Sequence, residues 1–222
     1  MHVINKDFER PDPDLIAKAR DTFVCLAGQV AGRHCVMDAG IRPLRRDWRI
    51  VGPALTVASA NPVDTLVSRV ATQYAKPGDV IVVDAAGRMD AATWGATMAW
   101  AAKESGAEAV IIDGAVLTTE LLIDREGLPI YARGSTAGHV GGDGPGSMNV
   151  PIVCGGIIVR PGDLVMGDED GVVVLPREHA AAILAKAGQR RKDPYPPAGR
   201  KVPYGERGFE EKLRGYDGIA WN

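Results

Sequence analysis

The chain has 222 residues, 45% of them hydrophobic and 24% charged. That composition suits one folded domain plus a tail and argues against intrinsic disorder. A formal net charge of −2 argues against a broad surface that binds nucleic acid by neutralising phosphates, and the basic runs Arg42–Arg46 and Arg190–Lys192 read as solvated faces. No apolar run reaches the roughly 20 residues needed to span a bilayer. The stretch Met1–Arg20 has no apolar centre like that of a secretory leader, so a cytoplasmic protein without a membrane span is expected. Cys25, Cys35 and Cys154 lack zinc-site spacing and read as buried free thiols.

In chain order, Pro11–Arg20 predicts a short helix with Leu15, Ile16 and Ala19 on one face, and Ile50–Ser59 predicts a strand. Asn61 offers a helix N-cap and Pro62 a first helical position. Val63, Leu66, Val67, Val70, Ala71 and Tyr74 then supply an amphipathic stripe that Pro77-Gly78 ends. Val80–Asp84 predicts a short buried strand, Ala91–Ser105 an Ala-rich helix and Ala109–Asp113 another buried strand. Further strands are expected at Pro129–Ala132, Ile152–Val159, Leu164–Met166 and Val172–Leu175, and a helix at Glu178–Gly188. The Pro- and Gly-rich remainder, residues 193–222, reads as an extended arm on a domain spanning 1–192, with one helical turn near Phe209–Leu213. Such an arm, too polar to form its own core, is expected to pack on a neighbouring subunit. Alternation of strands and helices early, then clustered strands, points to mixed α/β architecture.

Several stretches in this order resemble one family. They are Gly52–Val57, Pro77–Asp84, Ile112–Val116, Asn149–Gly156, Pro161–Val165 and Gly167–Pro176. Together they resemble the RraA-like family, which holds the 4-hydroxy-4-methyl-2-oxoglutarate and 4-carboxy-4-hydroxy-2-oxoadipate aldolases and the RraA-type regulators of ribonuclease E. The resemblance covers roughly residues 13–188. It implies a swivelling β/β/α-type domain that assembles as homotrimers or homohexamers with sites at subunit boundaries. It also implies a magnesium or manganese ion that stabilises a pyruvate enolate as a Lewis acid, with an arginine holding the oxo acid's carboxylate.

The charged groups of that site are replaced here. Where the family continues Gly-Ala-Val with Arg-Asp, Gly114-Ala115-Val116 is followed by Leu117-Thr118. The guanidinium becomes an apolar side chain, and the metal-facing carboxylate becomes a neutral hydroxyl, a poor ligand for a hard dication. The family's acidic Gly-Asp/Glu-Leu-Leu loop reads Gly95-Ala96-Thr97-Met98, and a glutamate expected three residues before Gly32 is Gln29. The backbone amides of Gly95, Ala96, Thr97 and Met98 still open a helix, so they remain candidates to bind a substrate carboxylate beside Leu117. The same residues also read simply as a helix start.

Thr118, Glu120 and His139 are the catalytic candidates. Glu120 reads as a general base, a displaced ligand or a solvent-facing acid. His139 is the acid/base side chain of the glycine-dense segment 138–146, which also reads as a plain connection. Asp84, Asp113 and Glu120 are the candidate metal ligands, and the two aspartates, expected at strand ends, also read as turn formers. The acidic turn Asp168–Gly171 reads as structural. Two functions follow. One is a lyase-like enzyme of the aldolase/decarboxylase type acting on a small oxo or hydroxy carboxylic acid, its pocket made more apolar by Leu117 and suited to a less highly charged substrate. The other is a non-catalytic regulatory or binding oligomer.

Overall fold

The computed structural model describes residues 2–124, 127–139, 141–191 and 208–216. Its centre is an eight-stranded mixed sheet in the order β1(Arg42–Pro43), β5(Ile130–Ser135), β4(Ala109–Val116), β3(Val80–Trp94), β2(Ile50–Ser59), β9(Leu164–Asp168), β10(Gly171–Leu175), with β6(Gly146–Met148) also on β2. Strands β2 to β5 run parallel, and β9 and β10 extend the sheet antiparallel. Strand alternation gives each face its own core. Ile81 and Val83 of β3 pack with α3(Leu66–Tyr74) and α4(Ala96–Glu104), while Val80 and Val82 meet the hairpin of β7(Ile152–Cys154) and β8(Ile157–Val159). A third cluster joins β9 and β10 to α1(Pro13–Arg20), α2(Val24–Ala31) and α6(Arg177–Arg191). This is the expected mixed α/β fold with β/β/α layering.

Helix α1 is capped by Asp12, whose carboxylate accepts the Asp14 N–H at 2.8 Å. Arg10 pins the preceding segment: its Nε and Nη2 donate to the fully buried Asp79 at 2.8 and 2.7 Å. Arg42 donates to the carbonyls of Ala39, Glu169 and Asp170, and Arg45 pairs with Asp47, so much of that basic run is tied down locally. Asp168–Gly171 forms the β9–β10 turn, with Asp168 accepting the Asp170 N–H.

Several expectations are corrected. Helix α3 begins at Leu66, not Pro62: Asn61–Asp64 form a turn, and Thr65 N–H is drawn to Gly142 C=O at 3.0 Å. Leu66, expected on the buried stripe, is consequently 38% exposed. Strand β3 does not stop at Asp84 but runs to Trp94 through register shifts, so Ala91–Trp94 is strand and the following helix starts at Ala96. Strand β4 likewise continues past Asp113 to Val116. Cys25 is exposed, whereas Cys35 and Cys154 are buried; all three are free. Most of the expected arm, residues 193–222, and its boundary at 192 lie outside the described residues, apart from 208–216, where α7(Phe209–Arg214) forms the anticipated turn. Among the described residues no helix is long and apolar enough to cross a membrane.

Candidate functional site

The site lies where the parallel strands end and α4 begins. Ala92 and Trp94 of β3 pair with Ala115 and Val116 of β4, and Trp94 C=O accepts the Leu117 N–H at 3.0 Å. This pairing sets Gly95 against Leu117–Thr118: a Cβ on Gly95 would sit 3.4 Å from Leu117 Cγ. Ala92 N–H donates to Gly138 C=O at 2.8 Å, which brings His139 to the same edge. Thr65, the N-cap residue of α3, and Arg69 of α3 line the same cavity as Gly95 and Leu117. The half-open cavity measures about 430 Å³ and is lined by Gly95, Ala96, Thr97, Met98, Leu117, Thr118 and His139, together with Arg69 and Trp94 among others. All five expected carboxylate-binding residues and two of the three catalytic candidates therefore share one cavity.

The anion-binding amides are partly committed. Thr118 Oγ1 accepts the Ala96 N–H at 3.0 Å and donates to Leu117 C=O at 2.7 Å, so this hydroxyl is satisfied within the protein. Thr118 holds a left-handed φ of 56°, unusual for a β-branched residue. The N–H groups of Thr97 and Met98, next in the first turn of α4, have no intrahelical acceptor and no other partner among the described residues. The positive end of the helix dipole adds to their pull on an anion.

Glu120 is not brought to the cavity. It sits exposed in the first turn of α5(Thr119–Leu122), where the buried Leu122 fixes the helix phase and turns Glu120 outward. Asp84 and Asp113 form no acid cluster with it. Asp113 is buried, with Oδ1 bound to Arg133 Nε and Oδ2 accepting the Gly155 N–H at 2.7 Å. Arg133 also reaches Asp38 Oδ1 at 2.9 Å, so Asp113 serves a structural ion-pair chain. Asp84 is half-buried; burial raises its carboxyl pKa, against the Ala86 N–H that it accepts. Among the described residues no three His, Cys, Asp or Glu side chains meet as a metal site. The donor set at the cavity—a locally satisfied hydroxyl and an apolar Leu117—does not suit a hard dication that favours carboxylate oxygen. Gln29, at the third expected position, lies in a separate groove between α2 and β10 with Cys25, Arg33 and Asp170.

Arg69 escaped the sequence reading because it falls on the polar face of an amphipathic helix and passes for a solvated charge. The available signal was its isolation: it is the one charged residue of α3.

The fold and this edge define a mixed α/β domain that presents helix-end amides at the carboxyl ends of parallel strands, where α/β folds place ligands. The chain belongs to the RraA-like family (Aldolase/RraA), whose model matches residues 16–174. It is 40% identical over 154 residues, 69% of this chain and 72% of the other, to a protein of Halalkalibacterium halodurans provisionally named 4-hydroxy-4-methyl-2-oxoglutarate aldolase. The fold matches the crystal structure of Streptomyces coelicolor RraAS2, described as an unusual member of the RNase ES inhibitor RraA family. That match has a TM-score of 0.73 at 24% identity and covers 95% of this chain and all of the other. The RNA-processing inhibitor RraA from Thermus matches with a TM-score of 0.57 at 30% identity, over 64% of this chain and 84% of the other.

Proposed function

We propose that this protein is a lyase-like enzyme for a small oxo or hydroxy carboxylic acid, bound by its carboxylate at the N-terminus of α4. The observation that supports this most directly is the pair of unpartnered amides, Thr97 N–H and Met98 N–H, in the first turn of α4, two residues that line a half-open cavity. An acid seated there directs its reacting end toward Leu117, Thr118 and His139. Leu117 contributes an apolar wall that excludes water. Thr118 keeps Ala96 N–H occupied and holds the helix start in place. His139, exposed at the rim, is the imidazole that would take or return a proton at the substrate hydroxyl or carbonyl. Because Leu117-Thr118 replaces the charged pair, no step is assigned to a metal ion.

A regulatory, non-catalytic role is the second reading. It is favoured by one specific observation: the hydroxyl at the position of the family's metal-facing acid is spent on neighbouring backbone.

Calorimetry with pyruvate and oxalate on metal-stripped protein tests the first reading. Thr97→Pro removes one first-turn amide without breaking an intrahelical bond, so it should weaken both acids about tenfold, with circular dichroism checking that the variant is folded. Absence of binding by the unaltered protein would sink the carboxylate site. Binding without release of pyruvate from 4-hydroxy-4-methyl-2-oxoglutarate or other 4-hydroxy-2-oxo acids would favour the regulatory role.

A further inference from the structure

We propose that Arg69 is the carboxylate anchor of this cavity: its guanidinium closes a two-point fork on the ligand acid when the Arg69–Asp143 pair opens. This rests on the carboxylate site proposed above and adds to it a specificity-determining residue from a different element.

Three observations carry it. First, the guanidinium is aimed rather than loose. Thr65, only 2% exposed, accepts Arg69 Nη2 through Oγ1 at 2.6 Å, and Thr65 is itself fixed by its N–H to Gly142 C=O. Two of the five guanidinium N–H donors are thereby engaged, to Thr65 and Asp143, and the others stay open to a planar acceptor. Second, two residues that line the cavity carry buried polar atoms without partners. Thr93 Oγ1 and Trp94 Nε1 are buried, on residues 3% and 1% exposed, and neither has a hydrogen-bond partner among the described residues. Such groups are uncommon and call for an explanation. The Thr97 and Met98 amides at the cavity can only donate. Third, no acidic side chain lines the cavity among the described residues. A cavity that presents a guanidinium and two first-turn amides, and is lined by no carboxylate among the described residues, is complementary to an anion with several acceptor lone pairs.

Asp143 is the occupant that a ligand would displace. Its contact with Arg69 is 3.2 Å, and the two side chains are 73% and 48% exposed. Exposed pairs of this kind are weak, so a desolvated carboxylate can compete. The charge lost at Leu117 is thus restored from α3, which revises the expectation of a less highly charged substrate.

The test is pyruvate binding by calorimetry for the full chain and two variants. Arg69→Gln should weaken pyruvate about tenfold or more, with Arg69→Lys recovering part of the loss. Asp143→Asn should tighten it about two- to fourfold, because the competing carboxylate is gone. The opposite signs separate anchoring from a merely structural role, and Asp143→Asn keeps the test decisive if Arg69→Gln folds poorly. Pyruvate affinity unchanged in Arg69→Gln, or weakened in Asp143→Asn, would overturn the anchor while leaving the amide site standing. Loss on Thr97→Pro without loss on Arg69→Gln would show that outcome directly. No pyruvate binding by the unaltered protein would remove both.

Discussion

Thr118 shows how one residue can be both a loss and a device. The family's aspartate at this position would suit a left-handed backbone, which Asp and Asn adopt more readily than β-branched residues. Threonine keeps that conformation at a φ of 56°, and its Oγ1 meets the Ala96 N–H. The strain persists because the hydroxyl fills two roles, acceptor for α4 and donor to Leu117 C=O. Removing the hydroxyl while keeping the branched shape isolates that term. Thr118→Val should destabilise the protein by about 1 kcal/mol, the usual scale for losing a helix-end acceptor. Thr118→Asn offers a carbonyl acceptor on a residue at ease in the left-handed region, so it should be neutral or stabilising. Urea midpoints of the two variants check this, and a Val variant as stable as the parent would show that the Ala96 amide finds another partner at no cost.

At the scale of elements, the long third strand decides the site. β3 passes Asp84, turns through Ala86 and Gly87 at φ of 51° and 70°, and rejoins β4 at Arg88↔Gly114 before delivering Trp94 to the start of α4. That detour needs room. A Cβ on Gly114 would lie 2.8 Å from Ala85 Cβ and 3.0 Å from Arg88 O, contacts too close to keep. Gly114→Ala should cost about 1–3 kcal/mol through overpacking, read as a lower denaturant midpoint with an unchanged slope. An unchanged midpoint would mean that the bulge yields freely. The same detour explains what could be read in advance. Strong local patterns, such as Ile50–Ser59 and the helix opening at Gly95, were legible because periodicity and the helix start agree with the tertiary fold. Ala91–Trp94 was not: four residues in an Ala-rich run favour helix, and only pairing with β4 makes them strand. Helix α2 was missed for a related reason, since Gly28 weakens its pattern but allows close packing, with a built Cβ 3.2 Å from Val173 Cγ2. Leu117 and the α4 amides could be placed in one site through the family resemblance. Arg69 could not, because its approach depends on the turn at Asn61–Asp64 and on Gly142 holding Thr65.

The whole molecule leaves two large apolar side chains exposed next to the site. Trp100 and Leu121 are 67% and 66% exposed, and both line a groove of about 280 Å³ with Ala99, Leu122 and Leu128. Ala96 and Leu121 belong to this groove and to the carboxylate cavity alike, so whatever covers the groove also borders the cavity. Exposed tryptophan beside apolar neighbours is the composition of an association surface, and Trp is the residue type that most often dominates such contacts. A second copy of the chain is the proposed partner, in keeping with the trimers or hexamers expected from the family resemblance. Trp100→Glu places a charge in that contact and should convert an oligomer to monomer in sedimentation equilibrium. Because the cavity shares the groove's wall, pyruvate affinity should fall with it, although Trp100 does not line the cavity. Retained mass together with weakened binding would assign Trp100 to the site rather than to assembly. A monomeric parent chain would remove the shared interface and leave the cavity to be completed within one subunit.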